Sequence, residues 1–259
     1  MVAWRSLHGQ ENSPRIAQLL PNAVTALALC SGLISVRFSV DGAYDYALVA
    51  IVTSAILDGL DGRLARRLHA SSRFGAEFDS LADFLSFGVA PIVLLFFWAG
   101  DAITGPISLC LMVFALASAI RLARFTAQSD VEIAAWRKAY FTGMPTPAAA
   151  LAVLLPVSLT MPTPGALQWM GLHALLIALL MVSRVPTFSG KNWVLPFRSS
   201  RAGVLGAIAV LAVALVLYPR EFLVTFTVLY LSSIPISCLS FRHDQRVHED
   251  VPANESAGI

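Results

Sequence analysis

Charge is scarce in this chain: of its 259 residues only 13% are Asp, Glu, Lys or Arg, about half the share a soluble domain carries. No stretch between residues 18 and 240 is polar enough to cover a water-facing surface, which excludes a separate soluble domain. The formal net charge is only +2, too small for the basic footprint of a nucleic-acid binder. Cysteine is sparse as well, and Cys30, Cys110 and Cys238 lie in apolar runs without metal-ligand spacing, which reads as reduced thiols facing lipid or core. The five histidines are scattered and unpaired. What is left is apolar, with 57% hydrophobic residues and a mean hydropathy of +0.71, the composition of an integral membrane protein.

A helix needs about 20 mostly apolar residues to cross a bilayer. Windows of that length fall near residues 18–38, 43–60, 78–100, 103–124, 145–162, 166–183, 202–219 and 221–240. The sequence therefore predicts an all-α integral membrane protein with about eight transmembrane helices. The first run, opening Leu19-Leu20-Pro21-Asn22, has no small-residue cleavage site and is followed by a second equally apolar run, so it is not expected to be a removed signal peptide. Eight spans put both termini on one side. If that side is the cytoplasm, sixteen of the eighteen basic residues lie inside and only Arg37 and Arg220 lie outside, the positive-inside pattern. Residues 1–17 then read as an interfacial or disordered cytoplasmic N-terminus, 184–201 as a cytoplasmic loop, 202–240 as two further spans and 241–259 as a disordered cytoplasmic tail.

One constellation does not fit a purely structural role. The second span ends Asp58-Gly59-Leu60-Asp61-Gly62-Arg63-Leu64-Ala65-Arg66, and the third opens Gly75-Ala76-Glu77-Phe78-Asp79-Ser80-Leu81-Ala82-Asp83. Asp58 and Asp61 are three apart and Asp79 and Asp83 four apart, so each pair shares a helix face. Two antiparallel helices on a short link bring the pairs together. A carboxylate at a spanning-helix centre costs roughly 2.5–3.5 kcal/mol, less near the interface, and four together need compensation. Hard oxygen ligands suit Mg²⁺ or Mn²⁺. Two divalent ions would balance the aspartates and leave Arg66, with Arg63, Arg67 and Arg73, to meet an anionic substrate: a two-metal phosphoryl-type centre. Caps and surface partners for the arginines are the plainer use of such aspartates, one that suits Glu77. Gly62 and Gly75 serve either helix packing or close approach of a nucleotide.

The pattern D-x2-D-G-x2-A-R-x8-G-x3-D-x3-D, carried by Asp58, Asp61, Gly62, Ala65, Arg66, Gly75, Asp79 and Asp83, resembles the signature of the CDP-alcohol phosphatidyltransferases. Residues 20–25, 86–91, 122–125, 141–148 and 181–189 resemble the bacterial phosphatidylserine synthase branch, with Thr126 where that branch commonly has Asn. The resemblance implies a six-helix catalytic membrane core over 18–183, a homodimer, and a multi-pass protein of the bacterial inner (cytoplasmic) membrane whose site faces the cytoplasm. It implies transfer of a phosphatidyl group from CDP-diacylglycerol to L-serine with release of CMP, among membrane lipids and with no part for nucleic acid. Glycerol phosphate, inositol phosphate and choline are the alternative acceptors; a channel or transporter is the alternative class.

The resemblance also distributes roles. Asp58, Asp61 and Asp79 would bind metal, and Asp83 would serve the second ion and act as general base on the serine hydroxyl. Gly62, Ala65, Arg66, Ser72 and Gly75 would hold the CDP-lipid. Asn22 and Thr25 either border the cytidine or simply start the first helix after Pro21. Serine brings a carboxylate, for which Arg121, Arg124 and Arg184 are candidate partners, each equally suited to a positive-inside anchor.

Overall fold

The structure is a computed structural model that describes residues 15–127, 140–159, 162–188, 210 and 213–249. Helices α1 (Arg15–Val40) and α2 (Tyr44–Arg67) form an antiparallel pair whose turn contains Gly42. Small polar residues fasten the pair: Ser31 donates to the Ala50 carbonyl at 2.8 Å and Ser54 to the Ala28 carbonyl at 2.9 Å, the type of bond that joins helices where lipid offers no hydrophobic drive.

The link from α2 to α3 (Arg73–Asp83) is short because both helix ends are capped. The Ala70 amide donates to the Ala65 carbonyl at 3.0 Å and the His69 amide to the Arg66 carbonyl at 3.4 Å, with His69 at φ 50°, which is a Schellman ending built without glycine. Ser72 then opens α3, its Oγ accepting the Gly75 amide at 3.0 Å. After Asp83 the helix widens into a π-helical stretch, Phe84–Val89, before continuing as α4 (Ala90–Ala99). Such stretches concentrate at functional sites.

Helix α5 (Gly105–Ala127) returns beside α4 and packs along α8 (Pro164–Val182). Between them lie α6 (Thr146–Val153) and α7 (Leu155–Leu159), and α9 (Pro219–Glu249) packs against α6 and α7. Leu48, Ile51, Leu94, Leu95, Leu154, Met170 and Ile177 fill the centre, whereas Leu109, Leu116, Leu172, Leu176, Leu179 and Leu229 point outward, as hydrocarbon-facing residues do. Five helices among the described residues are long and apolar enough to cross a membrane: Leu19–Val40, Arg73–Ala102, Gly105–Ala127, Gly165–Val182 and Pro219–Arg246. The chain is an all-α, multi-pass membrane protein.

Three details differ from the sequence expectation. The span expected at 145–162 is the short apolar segment Thr146–Leu159, interrupted at Leu154 and buried at the bundle centre, because Pro156 cannot donate a helical hydrogen bond and the alanines of α6 permit close packing. Two strands, β1 (Tyr140–Thr142) and β2 (Pro186–Phe188), pair antiparallel across the bundle end. Gly143, at φ 79°, allows this: a Cβ there would lie 2.5 Å from the Met181 carbonyl oxygen. Finally, α9 runs to Glu249, so 241–249 are helical where a disordered tail was expected, anchored by Tyr140, whose hydroxyl donates to Asp244 at 2.7 Å. Most of the expected span 202–219 lies outside the described residues, as do 1–14, 189–209 and 250–259.

At the end of the bundle opposite the aspartate motif, both arginines assigned to the outside are paired. Arg37 meets Asp41 at 2.9 Å and Arg220 meets Asp45 at 2.6 Å.

Candidate active site

The capped link sets the α2 and α3 carboxylates facing one another. One oxygen from each of Asp58, Asp61 and Asp79 lies within 4.8 Å of the others. Asp83, one turn deeper than Asp79, lies against Asp58 with the two carboxyl groups in hydrogen-bond contact. Asp61 is the most enclosed at 4% exposure. Among the described residues no ion pair involves any of the four. Arg66 acts on Asp61 and Arg121 on Asp83 only at longer electrostatic range.

So many enclosed carboxylates without a paired cation fit a divalent metal, and the all-oxygen donor set fits Mg²⁺ or Mn²⁺ over zinc. Asp61 is held by Thr25, whose hydroxyl donates to Oδ2 at 2.7 Å while also lying 3.1 Å from the Pro21 carbonyl oxygen. Pro21, within α1, leaves that carbonyl in reach of Thr25 one turn on, and the first helix thereby orients an aspartate on the second.

Beside the carboxylates opens a cavity of about 500 Å³. Asn22, Thr25, Gly62, Ala65, Arg66, Ser72 and Gly75, the whole set expected to hold a CDP-lipid, line it together with Asp61 and Asp79. The Arg66 guanidinium lies over Gly62, with Nη1 3.5 Å from where a Cβ would stand. Gly75 has less room: an added Cβ would sit 3.0 Å from Asn22 Oδ1 and 3.1 Å from Ser72 Oγ, so the glycine keeps these two polar groups close together. Phe125 of α5 contributes a wall that the sequence did not single out for this site. Nearby, Thr126 shares a 3.0 Å hydrogen bond with Ser80, tying α5 to α3.

The three arginines considered for the acceptor go different ways. Arg121 turns into the bundle, donating from Nη1 to Thr146 at 2.7 Å, with Asp83 as its leading electrostatic partner. Arg124 is exposed and caps α8 by donating to the Val182 carbonyl at 3.0 Å. Arg184 is exposed in the segment between α8 and β2. Arg121 and Arg124, three residues apart on α5, therefore have different partners.

The fold and site together define a membrane-embedded protein with an acidic centre suited to divalent cations and an adjoining cavity lined by an arginine. The family model for CDP-alcohol phosphatidyltransferase matches residues 18–183. The chain is 36% identical over 236 residues to the CDP-diacylglycerol--serine O-phosphatidyltransferase of Mycobacterium leprae, a match covering 88% of this chain and 76% of that protein. It is 38% identical over 182 residues to the protein of the same name from Helicobacter pylori strain 26695, covering 68% and 75%. An archaetidylserine synthase of Methanothermobacter thermautotrophicus is 32% identical over 144 residues, covering 52% and 55%. The chain belongs to the CDP-alcohol phosphatidyltransferase family.

Proposed function

We propose that this chain transfers the phosphatidyl group of CDP-diacylglycerol to the hydroxyl of L-serine, giving phosphatidylserine and CMP. The observation that carries the reading is the joining of the three-carboxylate cluster to the cavity holding Arg66, Gly62 and Gly75. Serine as acceptor is supported by relatives named for serine chemistry. The site faces the cytoplasm of a bacterial inner membrane, on the charge asymmetry of the loops, and the enzyme is a homodimer, as the family resemblance implies. The core is 18–183, with the later helices added to it.

Two divalent ions, Mg²⁺ or Mn²⁺, held by Asp58, Asp61, Asp79 and Asp83, would neutralise the donor pyrophosphate and its leaving group. The chain's own residues do the rest. Arg66 meets the diphosphate and Gly62 lets it approach. Asn22, Ser72 and Gly75 border the nucleotide portion. Asp83 accepts the proton of the serine hydroxyl as that oxygen bonds to the phosphatidyl phosphorus and the bond to the CMP oxygen breaks, a contribution of about 10²–10⁴ in rate. Arg121, whose leading electrostatic partner is Asp83, receives the serine carboxylate. No covalent enzyme intermediate is needed.

The test is CMP release by purified protein in lipid nanodiscs containing CDP-diacylglycerol, with serine, glycerol 3-phosphate, inositol phosphate and choline offered separately, with Mg²⁺ or Mn²⁺ and with chelator. Release should require serine and a divalent cation. Turnover with another acceptor in place of serine, or in full without metal, overturns the reading.

A further inference from the structure

The inward face of α5 ends in an exposed aromatic ring. Phe114, Ser118, Arg121 and Phe125 follow one another at intervals of four, three and four residues, so they share one face of the helix. Phe114 and Ser118 are fully buried in the bundle, and the opposite face, with Leu109, Met112, Leu116 and Ile120, points outward. Phe125 lies on the buried side and is nevertheless 58% exposed. The space it faces is the cavity of about 500 Å³ beside the carboxylates, which it lines. The backbone that carries it is fixed on both sides, because Arg124 donates to the Val182 carbonyl of α8 at 3.0 Å and Thr126 shares a 3.0 Å hydrogen bond with Ser80 of α3. Among the described residues Phe125 is the only aromatic lining this cavity, and no other ring stacks on it.

The cavity runs from the α2–α3 link, at Ala70 and Ser72, to Asp79, and the bond from Thr126 to Ser80 sets the ring level with Asp79. It therefore stands on the link side of Asp83, the deepest carboxylate. The acyl chains of a CDP-lipid have to leave toward the hydrocarbon, and its diphosphate belongs with the carboxylates and Arg66. What remains for the link side is the nucleoside, and the pyrimidine is the one part of the donor with a π face. We propose that Phe125 is the residue on which the cytosine base of the donor stacks. This rests on CDP-diacylglycerol being the donor and not on serine being the acceptor. Stacking tolerates any base, since every base has a π face, so Phe125 supplies affinity and leaves the distinction between bases to the polar groups of the same cavity, Asn22 and Ser72.

CMP carries the base without the acyl chains and is the probe. In nanodiscs, with CMP inhibition measured against CDP-diacylglycerol, Phe125→Ala should raise the CMP inhibition constant and the CDP-diacylglycerol KM together, each by about 10-fold, within the range of about 5–150-fold that base–aromatic stacking supports. Phe125→Leu keeps an apolar side chain without the π face and should behave like Phe125→Ala. Phe125→Trp restores a π face and should bring both constants to within threefold of wild type. The serine KM should stay within twofold throughout. Leu116→Ala, on the outward face of the same helix, serves as control and should leave all three constants unchanged. A CMP inhibition constant within twofold of wild type in Phe125→Ala, recovery by leucine as full as by tryptophan, or an equal rise in the serine KM overturns the assignment. A raised CDP-diacylglycerol KM with unchanged CMP inhibition also overturns it, since the ring would then meet the lipid part of the donor. If the wild type neither releases CMP nor is inhibited by it, the functional proposal falls and the stacking role falls with it; if the wild type does both and only the variant comparison fails, the functional proposal stands.

Discussion

Thr25→Val separates two uses of a residue at the start of the first span. The sequence suggested a border for the cytidine, but the structure sends the hydroxyl to Asp61 Oδ2 at 2.7 Å, with Thr25 only 4% exposed. Valine keeps the shape and deletes the donor, leaving an enclosed carboxylate oxygen without its hydrogen bond. A hydrogen bond to a charged group contributes about 1.5–3 kcal/mol, or about 10–150-fold in an equilibrium. Because Asp61 belongs to the carboxylate cluster, the loss should fall on divalent-cation affinity, in line with the about 10–100-fold effects of supporting residues behind metal ligands. The assay is CMP release against Mn²⁺ or Mg²⁺ concentration at saturating substrates. Half-saturation should move up at least 10-fold, maximal rate should be largely recovered at high metal, and Thr25→Ser should restore wild-type behaviour. A variant with unchanged metal half-saturation and a raised CDP-diacylglycerol KM would refute the positioning role and return Thr25 to the nucleotide.

Asp58→Ala and Asp79→Ala should abolish CMP release while the protein stays folded in detergent, as judged by an unchanged elution profile and circular dichroism; residual turnover near wild type would count against the metal cluster. Asp83→Asn should still bind CDP-diacylglycerol but transfer it at least about 10²-fold more slowly, measured by single-turnover kinetics on preloaded enzyme, and a collapse of donor affinity with normal turnover of bound donor would count against the general base. Arg121→Ala should raise the serine KM about 10–150-fold with little change for the donor, whereas Arg124→Ala, which loses only an exposed cap on the Val182 carbonyl, should keep a normal serine KM; the reverse order of effects would show that the acceptor site lies elsewhere.

What the sequence could show and what it could not divides along a physical line. The aspartates and glycines at the α2–α3 link were legible because their spacing is local: three- and four-residue intervals fix a helix face, and a spacer of eight leaves the second helix no choice but to return. Burying four carboxylates in an apolar chain is unfavourable enough to mark the site without any structure. The strands were not legible, since each is three residues long and their pairing depends on Gly143 fitting beneath the Met181 carbonyl. The second half of α2 was legible by spacing rather than by hydropathy: Asp58, Asp61, Arg63, Arg66 and Arg67 make it polar, yet the three-residue interval of the aspartates reads as a helix face, and α2 is a 24-residue helix packed along α1. Arg121 and Arg124 show the limit of spacing itself. A three-residue interval says that two side chains leave a helix on similar bearings, but Thr146 of α6 and the end of α8 then take one guanidinium inward and leave the other exposed. The bond from Thr25 to Asp61 spans 36 residues, and that from Arg121 to Thr146 spans 25. Neither leaves a periodic trace, so contacts of this kind appear only when α1, α2, α5 and α6 are folded against one another.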